Sequence, residues 1–140
     1  FPCRTYVFLA AGHPLAGRPL ITLEDLAPYP CLSFDQGQSF YLAEEVYSTY
    51  HYRQVIKASD RATLLNLMVG LDGYTLCSGI LCEELNGDGY RAVPLDSDKI
   101  MHIGYVKRQG CVLSPLAKIY LEELNRCNVN VLDHPAGPAR

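Results

Sequence analysis

Three short segments carry small polar side chains near predicted helix starts, where a small molecule could be held. In the first segment, Gln38 and Ser39 precede a helix, and Phe40 could form a pocket wall. The free amide groups of a helix start attract carboxylate and phosphate groups. In the alternative interpretation, Ser39 only caps its helix and Phe40 packs in the core. From this segment we expect Ser33, Gln38, Ser39 and Phe40 to line a binding pocket.

The second and third segments extend this hypothesis. In Ser59-Asp60-Arg61, the Arg61 guanidinium could bind a carboxylate through two parallel hydrogen bonds, or it could be a solvated arginine beside a Ser59 cap. Residues 75–79 combine short hydroxyl side chains with a glycine, which would let a ligand approach the backbone closely. Ser78 is the preferred contact there, with capping of the next helix as the alternative. The predicted ligand contacts are Ser59, Arg61, Thr75 and Ser78.

Residue spacing gives no support for a metal site or for covalent catalysis. The six cysteines have no CxxC spacing, and the histidines have no metal-ligand spacing with cysteines or carboxylates. His13 is expected to form local hydrogen bonds rather than to touch a ligand. The sequence contains no GxSxG, P-loop, GxGxxG or HExxH motif. We therefore predict no metal, no cofactor and no enzymatic activity.

Composition narrows the class of protein further. The 140 residues suffice for one domain, and the net charge of −3 argues against direct binding of nucleic acid. No apolar run approaches the roughly 18 residues of a membrane span. Cysteines outside a disulfide pattern favour a reduced, cytoplasmic protein. Among them, we expect small buried side chains at Cys31, Cys77, Cys82 and Cys111.

Predicted strands alternate with predicted helices, which favours an α/β fold with a largely parallel, doubly wound sheet. Residues 4–11 read as a strand buried on both faces. Further strands are predicted at residues 31–34, 55–58, 74–77, 90–95 and 100–107. Helices are predicted after a capping box at Thr22-Leu23-Glu24-Asp25, from Ser39, after Ser59-Asp60, at residues 80–85 and from Ser114. In the last of these helices, the residues expected to face the core are Ala117, Tyr120, Leu121 and Leu124.

Several short sequence motifs, which follow one another along the chain, resemble those of the LysR substrate-binding domain. They are His13-Pro14-Leu15-Ala16, then residues 19–27 with the phrase TLEDL, then Tyr29-Pro30-Cys31-Leu32, and finally residues 59–78. The resemblance covers about residues 6–124. This chain departs from the family at Asp72, which is inserted in a Gly-Leu-Gly turn, and at Gly79, where many relatives have proline.

The resemblance implies the α/β fold of type 2 periplasmic binding proteins, here with one complete Rossmann-like lobe and part of a second. Residues 4–100 would form effector-binding lobe II, with a crossing strand at 4–11. Residues 101–127 would supply the return crossing strand and the C-terminal helix of lobe I, and residues 128–140 a tail. We expect a truncated chain that lacks the winged helix-turn-helix, the linker helix and the first half of lobe I.

The function implied by the resemblance is effector sensing for a DNA-binding transcriptional regulator. A small, anionic metabolite would rearrange the lobes, and DNA would be contacted only through the winged helix-turn-helix that is absent from this chain. The family also implies a homo-oligomer. Two alternatives remain at this point: an exported solute-binding protein of the same fold, and an enzyme of the same architecture that uses Asp35 or Asp60 as acid or base.

Overall fold

The computed structural model describes residues 2–35, 54–81 and 87–132, which contain seven strands and three α-helices. The strands are β1 Pro2–Arg4, β2 Tyr6–Ala10, β3 Cys31–Phe34, β4 Val55–Ala58, β5 Tyr74–Cys77, β6 Tyr90–Pro94 and β7 Ile100–His102. The helices of this part are α1 Leu23–Leu26, α2 Arg61–Gly70 and α3 Pro115–Leu132, with a 3-10 turn at Gly87–Gly89. The predicted α/β class is confirmed.

Five of the strands form one mixed sheet in the order β4-β3-β5-β2-β6. β3 pairs in parallel with β4 and β5, whereas β2 pairs antiparallel with β5 and β6. Four strands therefore run in one direction, and β2 runs against them. The expectation of a largely parallel sheet needs this correction at β2, because an apolar strand buried on both faces has the same residue pattern in either direction.

A hydrophobic cluster packs on each face of the sheet. One cluster contains Val7, Leu9, Leu15, Ile21, Leu26, Cys31, Tyr74, Leu76, Val93 and Leu95. The other lies beneath α2 and contains Phe8, Leu32, Ala58, Leu64 and Met68. We call the side of the sheet that carries this second cluster the α2 face. Successive residues of β2 enter the two clusters alternately, as a pleated strand requires, so the predicted burial of both faces is confirmed.

The predicted capping box of α1 is present. Thr22 Oγ1 accepts the Asp25 N–H at 3.2 Å, and Asp25 Oδ2 accepts the Thr22 N–H at 3.0 Å. The Arg18 guanidinium also donates to Asp25 Oδ1. The hydrogen bond from the Thr22 backbone, followed by the one from Arg18, lowers the pKa of Asp25 below its usual range. This network fixes the start of α1 and the bend that precedes it.

The chain divides into two compact units, one of them Arg4–Met101 and the other comprising the described residues outside that range. β1 and β7 pair with each other in a separate two-stranded sheet. The sixth predicted strand, residues 100–107, is wrong beyond His102. Exposure gives the reason: Tyr105 is 59% and Val106 100% exposed, so neither has the packing that an apolar strand needs.

The last helix begins as predicted but does not bury its apolar stripe. Ser114 Oγ accepts the Ala117 N–H at 3.2 Å, which confirms the cap. Tyr120 and Leu124 were expected to face a core, and they are 64% and 39% exposed. The helix continues to Leu132, into the stretch predicted as a tail. The amphipathic pattern therefore predicted the helix correctly, although it could not supply a packing partner.

Burial differs among the cysteines, and one expectation fails. Cys31 is buried and Cys77 is half-buried, but Cys111, expected to be buried, is exposed. Cys111 follows the turn at Gly110, in an exposed stretch without regular structure. Cys3 is also buried, and this burial raises the pKa of its thiol. Cys82 and the helices predicted from Ser39 and over residues 80–85 lie wholly or mostly outside the described residues.

Candidate ligand-binding site

The ends of four strands meet at one edge of the five-stranded sheet. β3 and β4 end together, with Phe34 beside Ala58, and β5 starts level with β3. Because β2 runs the opposite way, its first residue, Tyr6, lies at this same edge between Cys77 and Pro94. We call this set of strand ends, with the residues that follow them, the carboxyl edge. Ligands of open α/β sheets bind in this position.

Three of the predicted contacts lie at the carboxyl edge. Ser59 is exposed in the bend after β4, and Arg61 is the exposed first residue of α2. Ser78 follows the end of β5 and is half-buried, and its Oγ accepts the Ile80 N–H at 3.5 Å. β4 and β5 are separated by two strand spacings, or roughly 10 Å. A small metabolite could therefore reach from Ser78 to the start of α2.

Two other predicted contacts lie within the sheet, on opposite faces. Ser33 is buried, and its hydroxyl donates to the Phe34 carbonyl at 3.3 Å. It alternates with Leu32 of the α2 face, so it points to the other side of the sheet. Thr75 is half-buried opposite Phe8, on the α2 face. The structure therefore does not bring Ser33 and Thr75 together, and the remaining predicted contacts, Gln38, Ser39 and Phe40, lie outside the described residues.

Asp60 is the residue that caps α2. Its Oδ1 accepts the Thr63 N–H at 2.9 Å, and its Oδ2 accepts the Thr63 hydroxyl at 2.7 Å. These two bonds, the backbone one first, lower the pKa of Asp60 below its usual value. The alternative in which Ser59 caps this helix is therefore wrong. A carboxyl group that is ionised and occupied in this way is a weak base and has no proton to donate near neutral pH.

The cap also changes the electrostatics expected at this helix start. Asp60 brings its own negative charge to the first-turn amides, and it accepts from the Ala62 and Thr63 backbone. An anionic ligand would have to compete with that carboxylate for the same amide groups. Among the groups at the start of α2, the guanidinium of Arg61 is therefore the better candidate for holding an anion.

Tyr6 is a residue of the carboxyl edge that the sequence did not indicate as a contact. It is half-buried, and its ring lies directly against Gly79. Its place in an apolar run predicted a strand residue, which it is. The run could not indicate which end of the strand meets the other strand ends, because that depends on the antiparallel direction of β2.

His13 lies near the other end of β2, away from the carboxyl edge. Its Nδ1 accepts the Leu15 N–H at 3.0 Å, which leaves the proton on Nε2, and Nε2 donates to the Asp72 carbonyl at 2.9 Å. The ring also contacts Tyr29, with centroids 4.4 Å apart. The prediction that His13 forms local hydrogen bonds is confirmed. Asp72 adopts a left-handed conformation with φ of 50°.

The described residues contain neither a cluster of metal ligands nor a membrane-spanning helix. In residues 2–35, 54–81 and 87–132, no group of three or more histidine, cysteine or acidic side chains is placed to bind a metal ion. Within the same ranges, no helix is both long and apolar enough to cross a bilayer.

The chain is similar to one known domain family and to several proteins that are described as regulators. The profile of the LysR substrate binding domain matches residues 1–127. The HTH-type transcriptional regulator SsuR of Burkholderia cenocepacia is 46% identical over 39 residues, which are 26% of this chain and 13% of SsuR. The structure is also similar to HinK, a LysR family transcriptional regulator from Pseudomonas aeruginosa, with a TM-score of 0.65 and 17% identity.

A third relative is the reduced form of OxyR, whose crystal structure has a TM-score of 0.59 and 25% identity to this chain. The matched region covers 95% of this chain and 62% of the OxyR structure. For HinK the corresponding values are 90% and 45%. The chain thus spans less than two thirds of the length of these relatives, and nearly all of it takes part in the two structural matches.

Proposed function

Since the chain belongs to the LysR substrate binding domain family, we propose that it senses a small effector molecule for a DNA-binding transcriptional regulator. The match over residues 1–127 is the observation that carries this proposal. DNA binding would be performed by a winged helix-turn-helix outside this chain, in agreement with the net charge of −3. We further propose a cytoplasmic homo-oligomer without enzymatic activity.

The proposed effector is a small anionic metabolite bound at the carboxyl edge. Arg61 and Ser78 lie at this edge, on either side of the end of β3. Arg61 would pair with a carboxylate, because Asp60 already occupies amide groups of the first turn of α2. Ser59 and Ser78 would donate hydrogen bonds to the remaining polar groups of the ligand. Gln38, Ser39 and Phe40 remain proposed lining residues.

The signal would arise from a ligand-dependent rearrangement of two lobes. In this proposal residues 4–100 form the effector-binding lobe, and residues 101–127 return the chain to the other lobe. A ligand shifts such an equilibrium only through its different affinities for the two arrangements. The resulting coupling to DNA affinity is typically about 5- to 150-fold.

The test uses the full natural protein and its own upstream DNA. Small carboxylates are screened for a rise in melting temperature, and each ligand found is then added to a titration of the protein with DNA. We expect at least one ligand to change DNA affinity by about fivefold or more. Arg61→Ala should weaken that ligand's binding by about tenfold, since a charge-assisted pair is lost.

Arg126→Ala is the matched control, because Arg126 is an exposed arginine of α3 that pairs with Glu123. It should leave the affinity for the ligand unchanged. A ligand that binds without altering DNA affinity would favour a solute-binding protein instead. Equal effects of Arg61→Ala and Arg126→Ala would show that Arg61 is not part of the site.

A further inference from the structure

The backbone of β2 places an aromatic side chain at the carboxyl edge. Tyr6 is the first residue of β2, and its neighbours across the sheet are the last residues of β5 and β6, Cys77 and Pro94. Its side chain is half-buried, so part of the ring remains accessible. Few side chains offer as large a flat surface as tyrosine to a bound molecule.

The space for this ring depends on Gly79. A Cβ atom at position 79 would lie 2.5 Å from Cδ2, 2.7 Å from Cγ and 2.8 Å from Cε2 of Tyr6. Gly79 also has a φ of 78°, a conformation that other residues rarely adopt. A side chain at position 79 and the ring of Tyr6 in its present position therefore exclude each other. The absence of a side chain at Gly79 leaves the space that the ring of Tyr6 occupies.

The ring is supported by the packing of the strand that follows it. Tyr6 and Phe8 are two residues apart on one strand, so they lie on the same face of the sheet. Phe8 is buried in the cluster under α2, and its ring stacks on Tyr90 with centroids 5.3 Å apart and an interplanar angle of 20°. The backbone of Tyr6 therefore belongs to a packed strand and not to a loop. This favours a preorganised contact surface for a ligand.

We infer that Tyr6 is a specificity-determining residue of the ligand site, and that it selects an effector with a planar, unsaturated part. The inference rests on the proposed function and adds to it the shape of the ligand. Gly79 lies against one side of the Tyr6 ring, and the accessible part of the ring would contact the ligand. A planar ligand can stack on this surface, whereas a puckered ring of the same volume cannot do so closely.

The experiment compares two probes, phenylacetate and cyclohexylacetate, in the full natural protein. Both are carboxylates of similar size, and only the ring of phenylacetate is flat. We expect the wild type and Tyr6→Phe to bind phenylacetate about two- to tenfold more tightly than cyclohexylacetate, the range typical of aromatic pairs. Tyr6→Leu should bind both probes equally. Gly79→Ala should weaken phenylacetate binding, because the added methyl group displaces the ring.

Tyr105→Leu serves as the matched control, since Tyr105 is 59% exposed and lies outside residues 4–101. It should keep the preference of the wild type. A second measurement needs no destabilising variant: the ring resonances of Tyr6, assigned with Tyr6→Phe, should shift when phenylacetate is added. Absence of phenylacetate binding, or a preference that survives in Tyr6→Leu, would overturn the inference.

The two proposals can fail separately. If a ligand changes DNA affinity equally in the wild type and in Tyr6→Leu, Tyr6 is not part of the site, but the regulatory function stands. If no ligand changes DNA affinity while phenylacetate binding still depends on Tyr6, the assignment of Tyr6 stands and the regulatory function is wrong.

Discussion

Helices α2 and α3 have similar starts but very different surroundings. Each begins at a capping side chain and carries an apolar stripe. In α2 the stripe is buried against the sheet, with Leu64 4% and Met68 1% exposed. In α3 the stripe residues Tyr120 and Leu124 are 64% and 39% exposed. The comparison shows that an amphipathic pattern predicts a helix in both cases, whereas burial also requires a partner surface that the described chain provides only for α2.

Truncation of one apolar side chain in each helix should give the largest difference in the free energy of unfolding. Met68→Ala is expected to lower the free energy of unfolding by about 2–5 kcal/mol, because it removes buried contacts and leaves a cavity. Leu124→Ala, at an exposed position of the α3 stripe, should change it by less than about 1 kcal/mol. Urea unfolding followed by circular dichroism measures both. Similar losses in the two variants would mean that α3 has a packing partner in solution.

The same substitution sharpens the comparison in a longer protein. We have proposed that residues 101–127 belong to a second lobe. If the natural protein supplies the rest of that lobe, Leu124 becomes a core residue, and Leu124→Ala should then cost about 2–3 kcal/mol. An unchanged small effect in the full protein would contradict the assignment of α3 to a packed lobe.

The contrast also explains which features of the fold were predictable from sequence. Local signals sufficed for the capping box at Thr22, for the strand Val55–Ala58 and for the cap at Ser114, because each depends on residues close together in the chain. The direction of β2 and the length of β7 depend on distant partners. Hydrophobic periodicity carries no information about strand direction or about distant partners. The predictions of a largely parallel sheet and of a strand extending to residue 107 therefore needed correction.

The residues of the candidate site also differ in how far local sequence could indicate their positions. Ser59, Arg61 and Ser78 were predicted from segments near helix starts, and the structure places all three at the carboxyl edge. Thr75 and Ser33 belong to the same predicted segments, but they lie within strands, where the pleat places them on opposite faces. Tyr6 was missed because its place at the carboxyl edge follows only from the antiparallel pairing of β2.

A smaller loss of stability is expected when the residue that hydrogen-bonds to the chain just after α2 is replaced. His13 is buried and bonds through both ring nitrogens, one of them to the carbonyl of Asp72 just after this helix. His13→Ala should lower the free energy of unfolding by about 1–3 kcal/mol, the range for buried groups that lose a hydrogen-bond partner. Chemical denaturation measures this loss.

The same His13 variant also tests how far the effect spreads. Amide exchange in the variant should increase in α2 more than in α3, because the hydrogen bond to Asp72 fastens only the former. Equal increases in the two helices would indicate general unfolding and not a local release.

The caps of the two helices should give the smallest effects, and these should differ in their dependence on pH. The pKa of Asp60 is lowered in the folded protein, chiefly by the Thr63 backbone hydrogen bond. Its stabilisation of α2 is therefore present above the unfolded value of 3.8 and is lost as pH falls through the lower folded value. Ser114 is uncharged, so its cap should contribute equally at any pH.

Melting temperatures at pH 7 and at pH 2 separate the two caps. Asp60→Ala and Ser114→Ala should each melt a few degrees below the wild type at pH 7. At pH 2, below the unfolded pKa of 3.8, protonation of the Asp60 carboxyl group favours the unfolded state, so the deficit of Asp60→Ala should shrink. The deficit of Ser114→Ala should persist. Asp25, whose pKa is also lowered, is present in all three proteins and cancels in the differences. An undiminished deficit of Asp60→Ala at pH 2 would mean that the charge of Asp60 is not what stabilises α2.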